Sequence, residues 1–152
     1  MPLNWTFRKL GNQMGLAYLY QKICSHFKLK SKILRPGVIT SGYITLKTGE
    51  RIVFTNKRYI TCGISSAIPD EIQLALWIMI DNLRTSTNIE VDYLQVFRLS
   101  IQNGKQKIIH SQEQPEYHNE ILVAFIWNPV ESAKIFIIDD GTHSTMMLAE
   151  EY

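Results

Sequence analysis

Residues 93–112 read YLQVFRLSIQNGKQKIIHSQ, and this stretch gives the clearest indication of the fold. Asn103-Gly104 separates two runs rich in β-branched and aromatic residues, and both positions tolerate the positive φ of a two-residue hairpin turn. Side chains alternate along a strand, so the odd-numbered residues of 93–101 share one face and the even-numbered residues share the other. The sequence therefore predicts a β-hairpin over 93–112.

A helix is predicted shortly before this hairpin. Pro69 suits the first helical position, and Asp70 and Glu71 place negative charge in the positive first turn. The apolar run 72–83 continues the helix, and the polar run 85–88 ends it.

The flanking segments predict the rest of an α+β domain. Residues 58–64 resemble a first strand, 121–127 a fully buried strand, and 139–142 the tip of a second hairpin. We expect an antiparallel sheet of about five strands with one main helix packed on a face, in the order β-α-β-β-β-β. A basic N-terminal extension precedes this domain, and its apolar spacing indicates a short helix at 15–27.

Length and composition favour an ordinary soluble protein. The 152 residues can bury a sizeable core without disulfides, and Cys24 and Cys62 form no redox or zinc pattern. No apolar run approaches the roughly 18 residues that span a bilayer, and no signal peptide is evident. We expect a cytoplasmic protein that uses no membrane.

Charge divides the chain at residue 52. Residues 1–52 carry nine Lys and Arg against one acid, a net charge of +8, whereas residues 53–152 carry seven bases and thirteen acids, a net charge of −6. One interpretation is a basic arm that binds nucleic acid. The other is a misassigned gene start, in which 49–52 derives from a ribosome-binding site and Val53 is the true initiator. A nucleic-acid partner is expected only if residues 1–52 are real.

The predicted helix is apolar on two sides. Its second stripe consists of Leu74, Trp77 and Ile78, and the sheet covers only one stripe if it stays flat. The second stripe then needs cover from the N-terminal segment, a second copy of the chain or another protein. A Trp-centred exposed patch is typical of protein interfaces, so another protein or a homodimer is the expected partner. The alternative is a sheet that curls around both stripes.

Specific catalytic motifs are absent from the sequence. Asp139, Asp140 and His143 lie within one turn and form a weak polar cluster, but such residues commonly build hairpin tips. We therefore expect no catalytic residues, no metal and no cofactor.

Nucleic-acid binding is the alternative function. The hairpin at 93–110 combines aromatic residues with basic ones, a combination on which single-stranded bases stack. Alternation leaves Phe97 as a residue of either the core or such a platform. The candidate contacts are Lys28, Lys30, Lys32, Arg98, Lys105 and Lys107.

Several short segments resemble one known family. They are Asn56-Lys57-Arg58-Tyr59-Ile60-Thr61, the helix start at 69–77, Asp92-Tyr93-Leu94-Gln95-Val96-Phe97, residues 112–117 and residues 144–152. Residues 53–152 thereby resemble the DUF960 family of small Gram-positive bacterial proteins of unknown function. The resemblance supplies no catalytic residues. It implies a start near Val53 and a link to mobile genetic elements, on which some similar proteins are encoded.

These observations predict a small non-enzymatic protein-binding module, an accessory protein of a mobile genetic element. Nucleic-acid binding through the basic arm and the hairpin remains the alternative.

Overall fold

Two helices and six strands make up the described part of the chain, which is residues 53–86, 88–124 and 126–152 of a computed structural model. The elements are β1 (Lys57–Ile60), α1 (Cys62–Ala67), α2 (Asp70–Ser86), β2 (Leu94–Gln102), β3 (Lys105–Gln112), β4 (Tyr117–Val123), β5 (Ser132–Asp139), β6 (His143–Leu148) and a 3₁₀ turn (Ala149–Glu151). The predicted extension at 1–52, with its helix at 15–27 and Lys28, Lys30 and Lys32, lies outside the described residues.

The sheet has the strand order β1-β6-β5-β2-β3-β4. β1 runs parallel to β6, and all other neighbours are antiparallel. The α+β class is confirmed, but the prediction of about five purely antiparallel strands is wrong. β1 and β6 stand at opposite ends of the described chain, so no tight turn forces them to pair antiparallel.

The two strongest sequence predictions are confirmed. The main helix begins at Asp70, with Asp70 and Glu71 in its first turn. The β2–β3 turn places Asn103 at φ 52° and Gly104 at φ 70°, as a two-residue hairpin turn requires.

The predicted first strand at 58–64 is too long. β1 ends at Ile60, and Thr61 then caps α1, its hydroxyl accepting from the Ile64 amide at 3.4 Å. The Glu151 carboxylate also meets this helix start, accepting from the Thr61 hydroxyl at 2.6 Å and the Gly63 amide at 3.1 Å. A residue from the far end of the chain therefore helps to convert a strand-like sequence into a helix.

The predicted buried strand at 121–127 is also displaced. β4 spans Tyr117–Val123 at the edge of the sheet, and Trp127 lies beyond it with 87% of its surface exposed. A continuous apolar run does not by itself distinguish a buried strand from a strand end and the loop after it.

One face of the sheet forms the core under α2. Phe97, Ile108, Ile135, Ile137 and Met146 are fully buried there. Arg58, on the same face of β1, ties the helix to the sheet. Its guanidinium lies 4.5 Å from the Trp77 ring centroid, and its Nη1 donates to Asp81 Oδ2 at 3.1 Å.

A polar network crosses this core. Gln95 Nε2 donates to Gln112 Oε1 at 2.8 Å and to the Asp92 carbonyl at 2.8 Å, which leaves Gln95 Oε1 as an acceptor. His110 Nε2 lies 2.6 Å from that oxygen, so the neutral ring donates from Nε2. The ring stacks on Phe97 with centroids 4.2 Å apart. Burial lowers the pKa of His110 from 6.5 to about 3.

We expect His110 to make the folded state sensitive to mild acid. The unfolded chain binds a proton near pH 6.5, whereas the folded chain keeps His110 neutral down to about pH 3. The contribution of His110 to the free energy of unfolding is therefore fully present above pH 6.5 and is lost as the pH falls towards 3. The loss between pH 7 and pH 5 is about 2 kcal/mol. Urea unfolding at both pH values measures this loss.

The variant His110→Gln should remove most of that pH dependence, whatever it does to stability at pH 7. The matched control is His118→Gln, because His118 is exposed on β4. An unchanged difference between pH 7 and pH 5 in His110→Gln would contradict the assignment.

Candidate functional site

The second face of the sheet is left uncovered by the described helices, and we call it the open face. Its apolar side chains are half-buried, in contrast to the fully buried residues under α2. The alternation and the strand register place the following large apolar residues on it: Tyr59, Leu94, Val96, Ile109, Leu122, Phe136, Ile138 and Met147. Contiguous half-exposed apolar side chains are typical of interaction sites, and we call the aliphatic ones the floor of the open face.

The open face is basic although the domain is acidic. Glu120 is the one acid that the six strands place on it, whereas most bases of residues 53–152 point to this side. These bases are Lys57, Arg98, Lys105, Lys107 and Lys134. The remaining acids lie on α2, in the loops and turns and, in the case of the buried Asp139, at the end of β5. The domain therefore presents one positive surface against a negative remainder.

Two of these cations stand directly opposite each other. Arg98 on β2 pairs in register with Lys134 on β5, and like charges in that position are destabilising. Lys107 differs, because its Nζ meets Glu120 Oε1 at 2.7 Å. Both Arg98 and Lys134 are exposed. The sheet thus holds an unfavourable pair at the centre of its open face.

Aromatic rings border this pair. Lys134 Nζ lies 5.0 Å from the Phe136 ring centroid. Tyr152, which is 79% exposed, meets the Phe136 ring edge-on, with the two ring centroids 5.6 Å apart. The open face therefore combines an aliphatic floor, an aromatic pair and cations.

The residues of the predicted interface on α2 are buried or half-buried in this chain. Trp77 is 2% exposed and Ile78 is 7% exposed, while Leu74 is half-buried. The expectation of a solvent-exposed Trp-centred patch is therefore wrong. The Arg58 guanidinium lies over the Trp77 ring, so this aromatic surface is occupied from within the domain.

The polar cluster at the β5–β6 turn divides into two separate structural roles. Asp139 is buried and accepts from the Phe54 amide, from Asn56 Nδ2 at 3.1 Å and from the Gly141 amide at 2.7 Å. Asp140 lies outside and accepts from the backbone amides and the hydroxyl of the turn. These bonds lower the pKa of Asp140 to about 2.

His143 pairs with Asp140 rather than Asp139. Its Nδ1 lies 3.1 Å from Asp140 Oδ2, and its ring meets Tyr59 edge-on at 5.2 Å. The turn thus separates the buried Asp139 carboxylate from the contact between Asp140 and His143. No group of three or more His, Cys, Asp or Glu side chains within the described ranges is arranged to hold a metal ion.

A shallow groove of about 220 Å³ opens beside the start of β5. It is lined mainly by small and apolar residues, and Lys134 and Glu150 are its ionisable members.

None of the described helices is both long and apolar enough to cross a membrane.

The sequence predicted the contribution of β2 and β3 to the open face but not that of β5. Arg98, Lys105 and Lys107 lie there as the hairpin alternation implies, and Phe97 is buried on the opposite face. Lys134 and Phe136 were not among the candidates. The spacing of Lys134, Phe136 and Ile138 carried the same two-residue signal, but only the pairing of β2 with β5 places them beside Arg98.

The fold and its uncovered face define a small two-layer α+β domain. The model of the Staphylococcal protein of unknown function family, DUF960, matches residues 57–151. The chain belongs to this family.

A solved structure has a similar fold. It is the crystal structure of a protein of unknown function from Enterococcus faecalis, with 29% sequence identity and a TM-score of 0.56. The match covers 62% of this chain and 89% of that one. No curated protein matches the chain.

We expect the variant Arg98→Glu to stabilise the domain. It replaces the like-charged pair with an opposite pair across β2 and β5, which should raise the free energy of unfolding by about 0.5–1 kcal/mol. Urea unfolding measures this effect. The control is Lys105→Glu, because Lys105 stands opposite the uncharged Gln102 and should change stability little. Equal effects of the two substitutions, or destabilisation by Arg98→Glu, would contradict the assigned pairing.

Proposed function

We propose that residues 53–152 act as a non-enzymatic protein-binding module and that the partner docks on the open face. The observation that carries this proposal is the like-charged pair Arg98 and Lys134, held in register amid half-exposed aliphatic residues. Exposed positions in a strand tolerate many residues, so a pair that lowers stability is more easily explained by a ligand than by folding.

The residues best suited to chemistry support a binding role. The Asp139 carboxylate is surrounded by donors from Phe54, Asn56 and Gly141, which use its acceptor sites for structure. His110 is buried in the core and hydrogen-bonded to Gln95. Neither group faces the groove beside β5.

A different protein suits the open face better than a second copy of this chain. A symmetric dimer through this face would bring the Arg98 and Lys134 clusters of both copies towards each other. Like charges at an interface suppress association, whereas a partner of opposite charge gains from steering and pairing.

Nucleic-acid binding is the second candidate. The cations Arg98, Lys105, Lys107 and Lys134 on one face favour it, together with the Phe136 and Tyr152 rings. Two features favour protein instead. The floor is mainly aliphatic, whereas bases stack on aromatic planes, and the domain carries a net charge of −6.

The cellular role stays a prediction. The predictions of a cytoplasmic location and of an accessory function for a mobile genetic element rest on the sequence and on its family resemblance.

Capture from a lysate of the native host tests the proposal. The full chain is immobilised as wild type, as Arg98→Gln/Lys134→Gln, and as the control Asn82→Asp/Asn88→Asp. Both variants lower the net charge by two, but Asn82 lies on α2 and Asn88 follows it, away from the open face. Wild type and control should retain the same nuclease-resistant protein, and the open-face variant should lose it.

Two results would contradict this function. Retention of the same proteins by all three chains would remove the open face as the docking surface. Material that is retained through the open face but is released by nuclease would assign the face to nucleic acid.

A further inference from the structure

On the covered face, a cation of the sheet is bound by two side chains of α2. Arg58 lies on β1, and α2 brings two side chains to it. The Trp77 ring lies 4.5 Å from the guanidinium carbon, and the Asp81 carboxylate accepts from both terminal nitrogens. A helix thus supplies an apolar surface and a carboxylate to a strand-borne cation.

The cations of the open face also need an apolar surface and a carboxylate, but no described helix supplies a carboxylate to them. Within the described part of the chain, no carboxylate lies within ion-pair distance of Arg98 or Lys134, and Glu120 is engaged by Lys107. Val96 and Phe136 are paired in register beside these two cations, and Met147 is paired with Phe136 on the far side. Cations and an apolar floor therefore lie side by side.

We propose that the open face binds an acidic amphipathic helix supplied by another protein. The carboxylates of that helix pair with Arg98 and Lys134, and its apolar stripe packs on Val96, Phe136 and Met147. This inference rests on the proposed function and specifies the chemistry of the partner. It would complete a three-layer arrangement, with α2 on one side of the sheet and the partner helix on the other.

The spacing of the two cations suits a helix. Residues one turn apart on a helix have Cβ atoms about 5–6 Å apart. Residues directly opposite on antiparallel strands have Cα atoms about 4.5–5.5 Å apart, which applies to Arg98 and Lys134. Carboxylates at positions i and i+4 of one helix can therefore meet both cations at once.

Charge complementarity selects this partner among the alternatives. An acidic helix matches the excess of bases on the open face, and its aliphatic residues match the aliphatic floor. A nucleic acid is complementary in charge to the Lys and Arg side chains of the open face. It would, however, place polar phosphate and sugar against the apolar side chains of Val96, Met147 and Ile109. A second copy of this chain would supply a complementary apolar surface, but the cations of its open face would repel Arg98 and Lys134.

Fluorescence anisotropy on the full chain tests the inference. The probes are a dye-labelled helical peptide of about 16 residues with a Leu stripe flanked by Glu, its counterpart with Gln in place of every Glu, and an oligothymidine of about 20 nucleotides. Residues 1–52 are strongly basic and attract any acidic probe. The comparison of Arg98→Gln/Lys134→Gln with Asn82→Asp/Asn88→Asp, which carry equal net charge, separates that attraction from docking on the open face.

The wild type should bind the Glu peptide more tightly than the Gln peptide. The open-face variant should weaken Glu-peptide binding about fivefold relative to the control, as expected for two exposed ion pairs. Unfolding curves of both variants confirm that each chain is folded under the assay conditions.

Three results would overturn the inference. They are equal affinity for the Glu and Gln peptides, equal Glu-peptide affinity in the two variants, and oligothymidine binding that alone depends on Arg98 and Lys134. Failure with the peptides combined with open-face capture of a protein from lysate would leave the proposed function standing and reject only the acidic helix.

Discussion

The alternation of side chains across one sheet determines which residues form the core and which form the open face. Consecutive residues of a strand point to opposite faces, so every register choice assigns one set to the core and the other to the outside. Here α2 covers one set, which includes Phe97, Ile108 and Ile137. The neighbouring set, with Arg98 and Lys134, is left on the open face.

The covered face is held by directional contacts as well as by apolar packing. Arg58 links β1 to α2 through Trp77 and Asp81, and Gln95, His110 and Gln112 form a hydrogen-bonded network within the core. Gln95 on β2 is hydrogen-bonded to His110 and Gln112 on β3, so these bonds favour one register of the two strands. The burial that packs His110 also makes it a group that the folded protein keeps neutral.

Local signals predicted the elements whose ends are encoded nearby. Pro69, Asp70 and Glu71 start α2, and Asn103-Gly104 turns β2 into β3, because helix starts and hairpin turns depend on a few adjacent residues. The helix α1 could not be predicted in this way. Its residues resemble a strand, and its start is held partly by Glu151, which lies far away along the chain.

The candidate site was predictable to the same limited extent. Alternation within the hairpin placed Arg98, Lys105 and Lys107 on one face, because a single strand pair determines that relation. The pairing of β2 with β5 adds Lys134 and Phe136, and it joins segments separated by two other strands. The packing of Trp77 under Arg58 likewise depends on tertiary contact.

Site-specific photocrosslinking in the native host can identify which surface of the domain contacts a partner. A photoreactive residue replaces Ser100 on the open face or Asn82 on α2, both of which are half-buried in the wild type. We expect a discrete protein adduct from position 100 and none from position 82. Adducts from position 82 alone, or from both positions equally, would contradict the claim that the open face is the binding surface.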